Sequence, residues 1–97
     1  MADIFDPAKH QSLSEIRQWD IDFSPDLPFG VTVASATATH VPPSGPATTP
    51  TVGAINLNIV PVKLGPLSVT GKHVLVVLAT YSNSEKSEAR VRIHVEY

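Results

Sequence analysis

The sequence predicts an all-β protein: an immunoglobulin-like β-sandwich of about seven short antiparallel strands, preceded by an extended N-terminal arm. Three observations carry this expectation. The stretch Ala89-Arg-Val-Arg-Ile-His-Val-Glu-Tyr97 alternates without a fault, placing Ala89, Val91, Ile93, Val95 and Tyr97 on one face and Arg90, Arg92, His94 and Glu96 on the other. A slip of one residue would bury the arginines and expose the apolar set, so the register is firmly specified. The run from Lys72 to Tyr81 is apolar on both faces, with Val74, Val76 and Leu78 against Leu75, Val77 and Ala79. A run of that kind belongs in the middle of a sheet, with cover on two sides. Finally, nine prolines in 97 residues punctuate a chain rich in Val, Thr and Ser, as in proteins built from short strands.

Taken in order, residues 1–15 are mostly polar and are expected to form the arm, with the domain spanning 16–97. Ser12-Leu-Ser-Glu15 has the spacing of a capping box, which would allow one helical turn, but an irregular arm is the expectation. Ile16 to Phe23 reads as a strand, with Trp19, Ile21 and Phe23 on one face and Gln18, Asp20 and Asp22 on the other. Ser24-Pro-Asp-Leu-Pro-Phe-Gly30 is a turn, and Gly30 to His40 a weaker strand. Four prolines between Val41 and Pro50 exclude a ladder there and predict a stiff loop. Alternation resumes from Thr51 to Asn58, and Pro61 with Gly65-Pro66 marks Val60 to Leu67 as an edge strand or bulged corner. Seven polar residues, Ser82 to Glu88, form the turn of the closing hairpin.

Composition excludes several functions. The absence of cysteine removes disulfides and thiolate metal sites, and fits a reducing compartment. A net charge of −2 with no Lys/Arg cluster argues against nucleic acid, whose phosphates require a basic face. The N-terminus shows no signal-peptide pattern, and the longest apolar run, Val74 to Ala79, is far too short to span a bilayer, so no membrane association is expected.

The side-chain chemistry points away from catalysis. Asp20, Asp22 and Asp26 could share a cation, but no calcium-loop pattern accompanies them, and a solvated strand face is expected. The histidines are His10, His40, His73 and His94; His73 and His94 lie on the two strands of the closing hairpin and could approach each other, yet zinc would still need further ligands. No nucleophile elbow and no glycine-rich phosphate loop occurs. Trp19 is expected in the core, beside Ile21 and Phe23. No enzyme, cofactor or metal is expected. A metal-dependent enzyme using Asp20, Asp22 and a histidine is the least favoured reading.

Trp19-Asp-Ile-Asp-Phe-Ser24, Leu27-Pro-Phe-Gly-Val-Thr-Val-Ala-Ser-Ala-Thr39, Gly71-Lys-His-Val and the closing Ser87 to Val95 together resemble a family of small tailed-phage proteins of the fiber-tail adaptor or accessory virion type. His73 departs from the tyrosine of that pattern, and the proline-rich loop with Asn56 to Leu67 lacks a close counterpart. The resemblance implies a non-enzymatic virion component assembled in the host bacterial cytoplasm. It would join neighbouring tail, neck or fiber proteins in a symmetric multi-copy assembly. A capsid decoration protein is the alternative, and a carbohydrate-binding or adhesion module using Trp19 or Tyr81 the reading from a different class. The expected partner-binding residues are Ile4 and Phe5 of the arm, Pro42, Pro43 and Pro46 of the loop, and Val60, Pro61, Val62 and Leu64 of the expected edge, because arms and edge strands let a neighbour complete the ladder.

Overall fold

Seven strands form two sheets, as the computed structural model, which describes residues 9–96, shows. The strands are β1 (Lys9–Ser12), β2 (Arg17–Asp22), β3 (Val33–Val41), β4 (Thr51–Val52), β5 (Ile59–Leu64), β6 (Gly71–Tyr81) and β7 (Lys86–Glu96), with a 3-10 turn at Ser24–Asp26. One sheet runs β1-β7-β6-β3 and the other β2-β5-β4. The expected sandwich is therefore present, with one change of direction: β1 pairs with β7 in parallel, placing His10 beside His94. Residues 9–12 of the expected arm thus sit in a ladder, while Ile4 and Phe5 lie outside the described residues.

Within the closing hairpin β7 behaves as its pattern requires, and β6 does so on its inner face only. Ala89, Val91, Ile93 and Val95 are buried, and His94 faces out. The turn is shorter than expected, because Tyr81 and Glu85 close it with a 2.7 Å backbone bond and Lys86 already pairs with Thr80. β6 is central, between β7 and β3. Its inner residues Leu75, Val77 and Ala79 are fully buried, whereas on the outer face Val74 and Val76 are half-buried and Leu78 is exposed. The cover expected there is not a second layer. Arg92, Arg90 and Glu88 stand opposite Val74, Val76 and Leu78 across the ladder, and long side chains of this kind can shield apolar neighbours with their stems.

The small sheet corrects the reading of Val60 to Leu67. β5 is the middle strand, not an edge, and it tolerates Pro61 for a specific reason. The Phe23 N–H bonds the Asn58 carbonyl, and in that register Ile21 and Trp19 exchange bonds with Val60 and Val62, which turns Pro61 away from β2. Its missing N–H faces Gly53, just past the end of β4, and its carbonyl accepts the Gly53 N–H at 2.9 Å. The ladder loses one bond where it is ending anyway. The expected strand from Thr51 to Asn58 is likewise cut to two residues. Asn56 and Ile59 bond each other across a tight turn in which Leu57 and Asn58 are left-handed, at φ 50° and 67°.

The core lies between the sheets. Ile21, Phe23, Val60, Val62 and Leu64 from the small sheet meet Leu75, Val77, Val91, Ile93 and Val95 from the large one. Each such side chain contributes about 1.5–3 kcal/mol on an area basis, as an upper bound. Phe23 packs edge-to-face on Tyr81 with centroids 6.3 Å apart. The Tyr81 hydroxyl donates to the Asp26 carboxylate at 2.7 Å, and burial, with that carboxylate beside it, raises the phenol's pKa. Tyr81→Phe is expected to cost about 1.5–3 kcal/mol, the range for a hydrogen bond to a charged group, read as a lower urea midpoint with an unchanged slope.

Candidate functional site

The inner face of the large sheet carries two imidazoles where the surrounding pattern supplies aliphatic residues. His40 on β3 pairs with Leu75, so His73, two residues earlier on β6, is its diagonal neighbour on the same face. His40 is 5 % exposed and His73 1 %. Their rings are parallel within 3°, with centroids 4.9 Å apart, and His40 Nε2 lies 2.6 Å from His73 Nδ1. The centroid separation exceeds the N···N distance by about one ring's width, so the two nitrogens point at each other along the line joining the rings. This is a head-to-head pair, not a face-to-face stack.

The outer nitrogens fix the tautomers. His73 Nε2 lies 2.7 Å from the Val69 carbonyl, which can only accept, so Nε2 carries the proton. His73 Nδ1 must then accept, and His40 Nε2–H donates to it. His40 Nδ1 is left as an acceptor, 3.1 Å from the Thr48 hydroxyl. The result is a directed relay, Thr48 to His40 to His73 to Val69, in which every nitrogen is satisfied when both rings are neutral. The relay joins the proline-rich loop to the 65–70 connection. A second tie holds the loop to β3, where the backbones of His40 and Thr48 exchange bonds of 2.8 and 2.9 Å.

These two segments wall an open groove of about 640 Å³ with the histidine pair at its floor. Pro42 and Pro46 line one wall, Pro66 and Ser68 the other, with Lys63 among the lining residues. Burial, and the neighbouring His73, hold the His40 pKa below the ordinary imidazole value of 6.5. The sign follows directly: the unfolded chain binds a proton more readily than the folded one. Stability from the relay is therefore complete above about pH 6.5 and falls as pH drops through that value. Urea midpoints measured from pH 8 to 5 are expected to fall in the wild type and to fall less in His40→Gln.

The opposite corner of the sandwich is organised by Gln11. Its amide donates to the carbonyls of Glu15 and Leu64 at 3.0 and 2.9 Å, and its oxygen accepts the Trp19 indole N–H at 3.0 Å. Trp19 is half-buried against the core with the Arg17 guanidinium over its ring, so neither it nor buried Tyr81 offers the platform that a carbohydrate module would need. Ser12 and Glu15 make half of a capping box, a 2.7 Å bond from the Ser12 N–H to the Glu15 carboxylate, though no helix follows. That bond, and then the Arg17 guanidinium, lowers the Glu15 pKa.

The other expected site residues fare unevenly. Val60 and Val62 are buried in the core and present nothing to a partner; Leu64 is buried too but borders the groove, and Pro61 is partly open. Pro42 and Pro46 line the groove, and Pro43 lies beside Gly71. Asp22 accepts the hydroxyl and N–H of Ser24, which lower its pKa, Asp20 is engaged by Gln18, and Asp26 by Tyr81, so the three carboxylates do not form one site. His73 and His94 face opposite sides of the sheet, since His73 pairs with Ile93 and Lys72 with His94. Among the described residues no group of three or more His, Cys, Asp or Glu could hold a metal ion.

Comparison with known proteins corrects the phage reading. No family model and no curated protein matches this chain. A solved structure that shares its fold is that of CopC from Methylosinus trichosporium OB3b, with a TM-score of 0.64 and 15 % identity over 94 % of this chain and 85 % of that one. That neighbour is not a phage protein, and with no phage family or phage protein matching, the tail-adaptor and decoration readings are withdrawn; the likeness shows the β-sandwich fold.

Proposed function

We propose that the chain is a non-enzymatic binding module whose ligand site is the groove above His40 and His73. One observation carries this reading: a buried, head-to-head imidazole pair forms the floor of an open cleft instead of being sealed beneath the core. A purely structural position on this face would be filled more cheaply by Val or Leu, as at Leu75 and Val77 beside it. The walls supply hydroxyls and proline rings held by a fixed backbone, which suits a small polar ligand or ion.

Thr48, His40 and His73 also stand in the order nucleophile, base and orienting group. The oxyanion donor that such chemistry needs is missing at the expected place, because the Thr48 N–H is spent on the His40 carbonyl at 2.9 Å. Binding without turnover is the better reading.

The test is shift mapping on the 15N-labelled full chain with a panel of small polyols and simple metal salts. Ligands are expected to move the amides of Thr48, Lys63, Ser68 and Val69 together, and Ser68→Trp, at an exposed lining position, is expected to block them. Responses confined to the outer face of β6 would remove the groove reading.

A further inference from the structure

We infer that the chain docks on a second copy of itself head to tail, the Phe29 turn of one copy entering the proline-walled groove of the next. This deepens the proposed function by naming a macromolecular occupant of that groove, and rests on the groove being a ligand site.

The end of the sandwich opposite the groove, where Val33 meets Tyr81, carries two large apolar side chains with nothing over them. Phe29 is 106 % exposed and Leu57 81 %. Neither is a loose end. Pro28-Phe29-Gly30-Val31 is closed by a 3.1 Å bond from the Val31 N–H to the Pro28 carbonyl, and Gly30, at φ 79°, takes the left-handed corner of the turn. Leu57 is itself left-handed, at φ 50°, in a turn position that ordinarily selects Asn, Asp or Gly. Asn58 ties the two turns together. Its carbonyl accepts the Phe23 N–H and its side-chain oxygen the Val33 N–H, on either side of the segment that bears Phe29. A leucine that is both exposed and left-handed gains little inside its own chain. Beside it stands a fixed, exposed aromatic, the kind of side chain that anchors an interface.

Charge selects the surface that receives them. Asp22 ends β2, Asp26 holds the Tyr81 hydroxyl, and Glu85 closes the hairpin on the Tyr81 N–H, so carboxylates surround the two turns. Lys86 also starts β7 here, with its ammonium donating to the Thr80 hydroxyl. Two such ends repel each other, and an anionic bilayer is disfavoured for the same reason. The groove end is of the opposite kind. Lys63 is among the groove's lining residues, Lys72 precedes His73 at the start of β6, and Glu15, beside Gly65, is already paired with Arg17.

Size and chemistry agree with this pairing. A groove of about 640 Å³ is within the range that holds a drug-sized ligand, ample for a phenyl ring and its flanking residues. Pro42, Pro46 and Pro66 offer flat apolar faces to such a ring, above a floor whose histidine nitrogens are already satisfied. Because tip and groove are different patches, the contact is heterologous and builds chains or rings, not a two-fold dimer. One turn in one groove is a small interface, so the association is weak.

Sedimentation velocity on the full chain, from roughly 10 μM to 1 mM, tests this directly. The weight-average mass is expected to rise with concentration and to pass that of a dimer. Phe29→Ala at the tip and Ser68→Trp at the exposed groove wall are each expected to weaken association about 10-fold or more with the fold intact. Mixed together, the two variants are expected to recover it and to stop at a dimer, since the first keeps its groove and the second its tip. Leu57→Asn, which suits the left-handed position, is expected to raise the urea midpoint and yet weaken association. A chain that stays monomeric across the range, association that survives Phe29→Ala, or two variants that fail to combine would each overturn the inference. If that happens while polyols still shift the groove amides, the groove remains a site for small ligands only; if polyols are silent as well, the binding function fails with it.

Discussion

Gly65→Ala is expected to destabilise the protein by about 4 kcal/mol, more than any other single methyl added to a glycine. Two costs add. Gly65 has φ +118°, a conformation that L residues rarely adopt, at a cost of about 1–3 kcal/mol. Its Cβ would also be driven into the Glu15 carbonyl oxygen and to 2.9 Å from the Gln11 amide. Neither group can step aside, because the Gln11 amide holds both the Glu15 and Leu64 carbonyls and the Leu67 N–H bonds the Leu13 carbonyl at 2.8 Å. Overpacking of that kind typically costs a further ~1–3 kcal/mol. In a domain of this size the melting temperature should fall on the order of 20 °C. Gly45→Ala is the matched control, since Gly45 has φ +94° but nothing within 4 Å of a Cβ. It should show the backbone cost alone. Equal losses at the two positions would mean that the packing of Gln11 and Glu15 against Gly65 contributes nothing.

The same corner shows where sequence reasoning reached and where it stopped. Alternation located the hairpin because every second residue from Ala89 to Val95 is apolar, and burial follows that period without exception. It could not place β1, since Lys9-His-Gln-Ser12 has no apolar residue and is held by its neighbour's backbone. Gln11 gave no signal at all. It is a polar residue on a short polar segment, yet it is 2 % exposed because three separate elements offer it partners. Pro61 misled for an opposite reason. A proline in a strand is ordinarily a mark of an edge, and the exception depends on β4 ending at Val52, which turn chemistry around Gly53 and Asn56 decides.

The histidine pair was half legible. Counting along Gly71 to Tyr81 puts His73 on the same face as Leu75 and Val77, so an inward histidine was implied by the alternation itself. Its partner was not. His40 sits at the end of a strand of Ser, Thr and Ala, and which residue of β6 it meets is set by a register shift between Val33 and Ser35 that nothing local announces. The expected partner, His94, was wrong by one residue of pairing, and one residue is enough to change faces.

His73→Ala is expected to cost about 3 kcal/mol, and its consequences separate a ligand site from a core position. The substitution leaves a cavity where a buried ring stood, and strands two groups that now have a partner: the Val69 carbonyl and the His40 Nε2–H. His40→Ala removes the other half of the same contact. If the rings act only as space-filling core residues, the two losses should add nearly in full in the double variant. If they act as one relay, the double variant should be less damaged than the sum by about 0.5–3 kcal/mol, because the second substitution removes a group the first had already orphaned. Hydrogen exchange gives an independent readout of the same difference. The Thr48 amide, bonded to the His40 carbonyl, is expected to keep its protection in His73→Ala if the loop is held by backbone bonds alone, and to lose it if the ring relay holds the loop against β3. Loss of protection at Thr48 without change at Gly53, in the ladder of the other sheet, would place the effect at the groove and assign the histidine pair the work of shaping it.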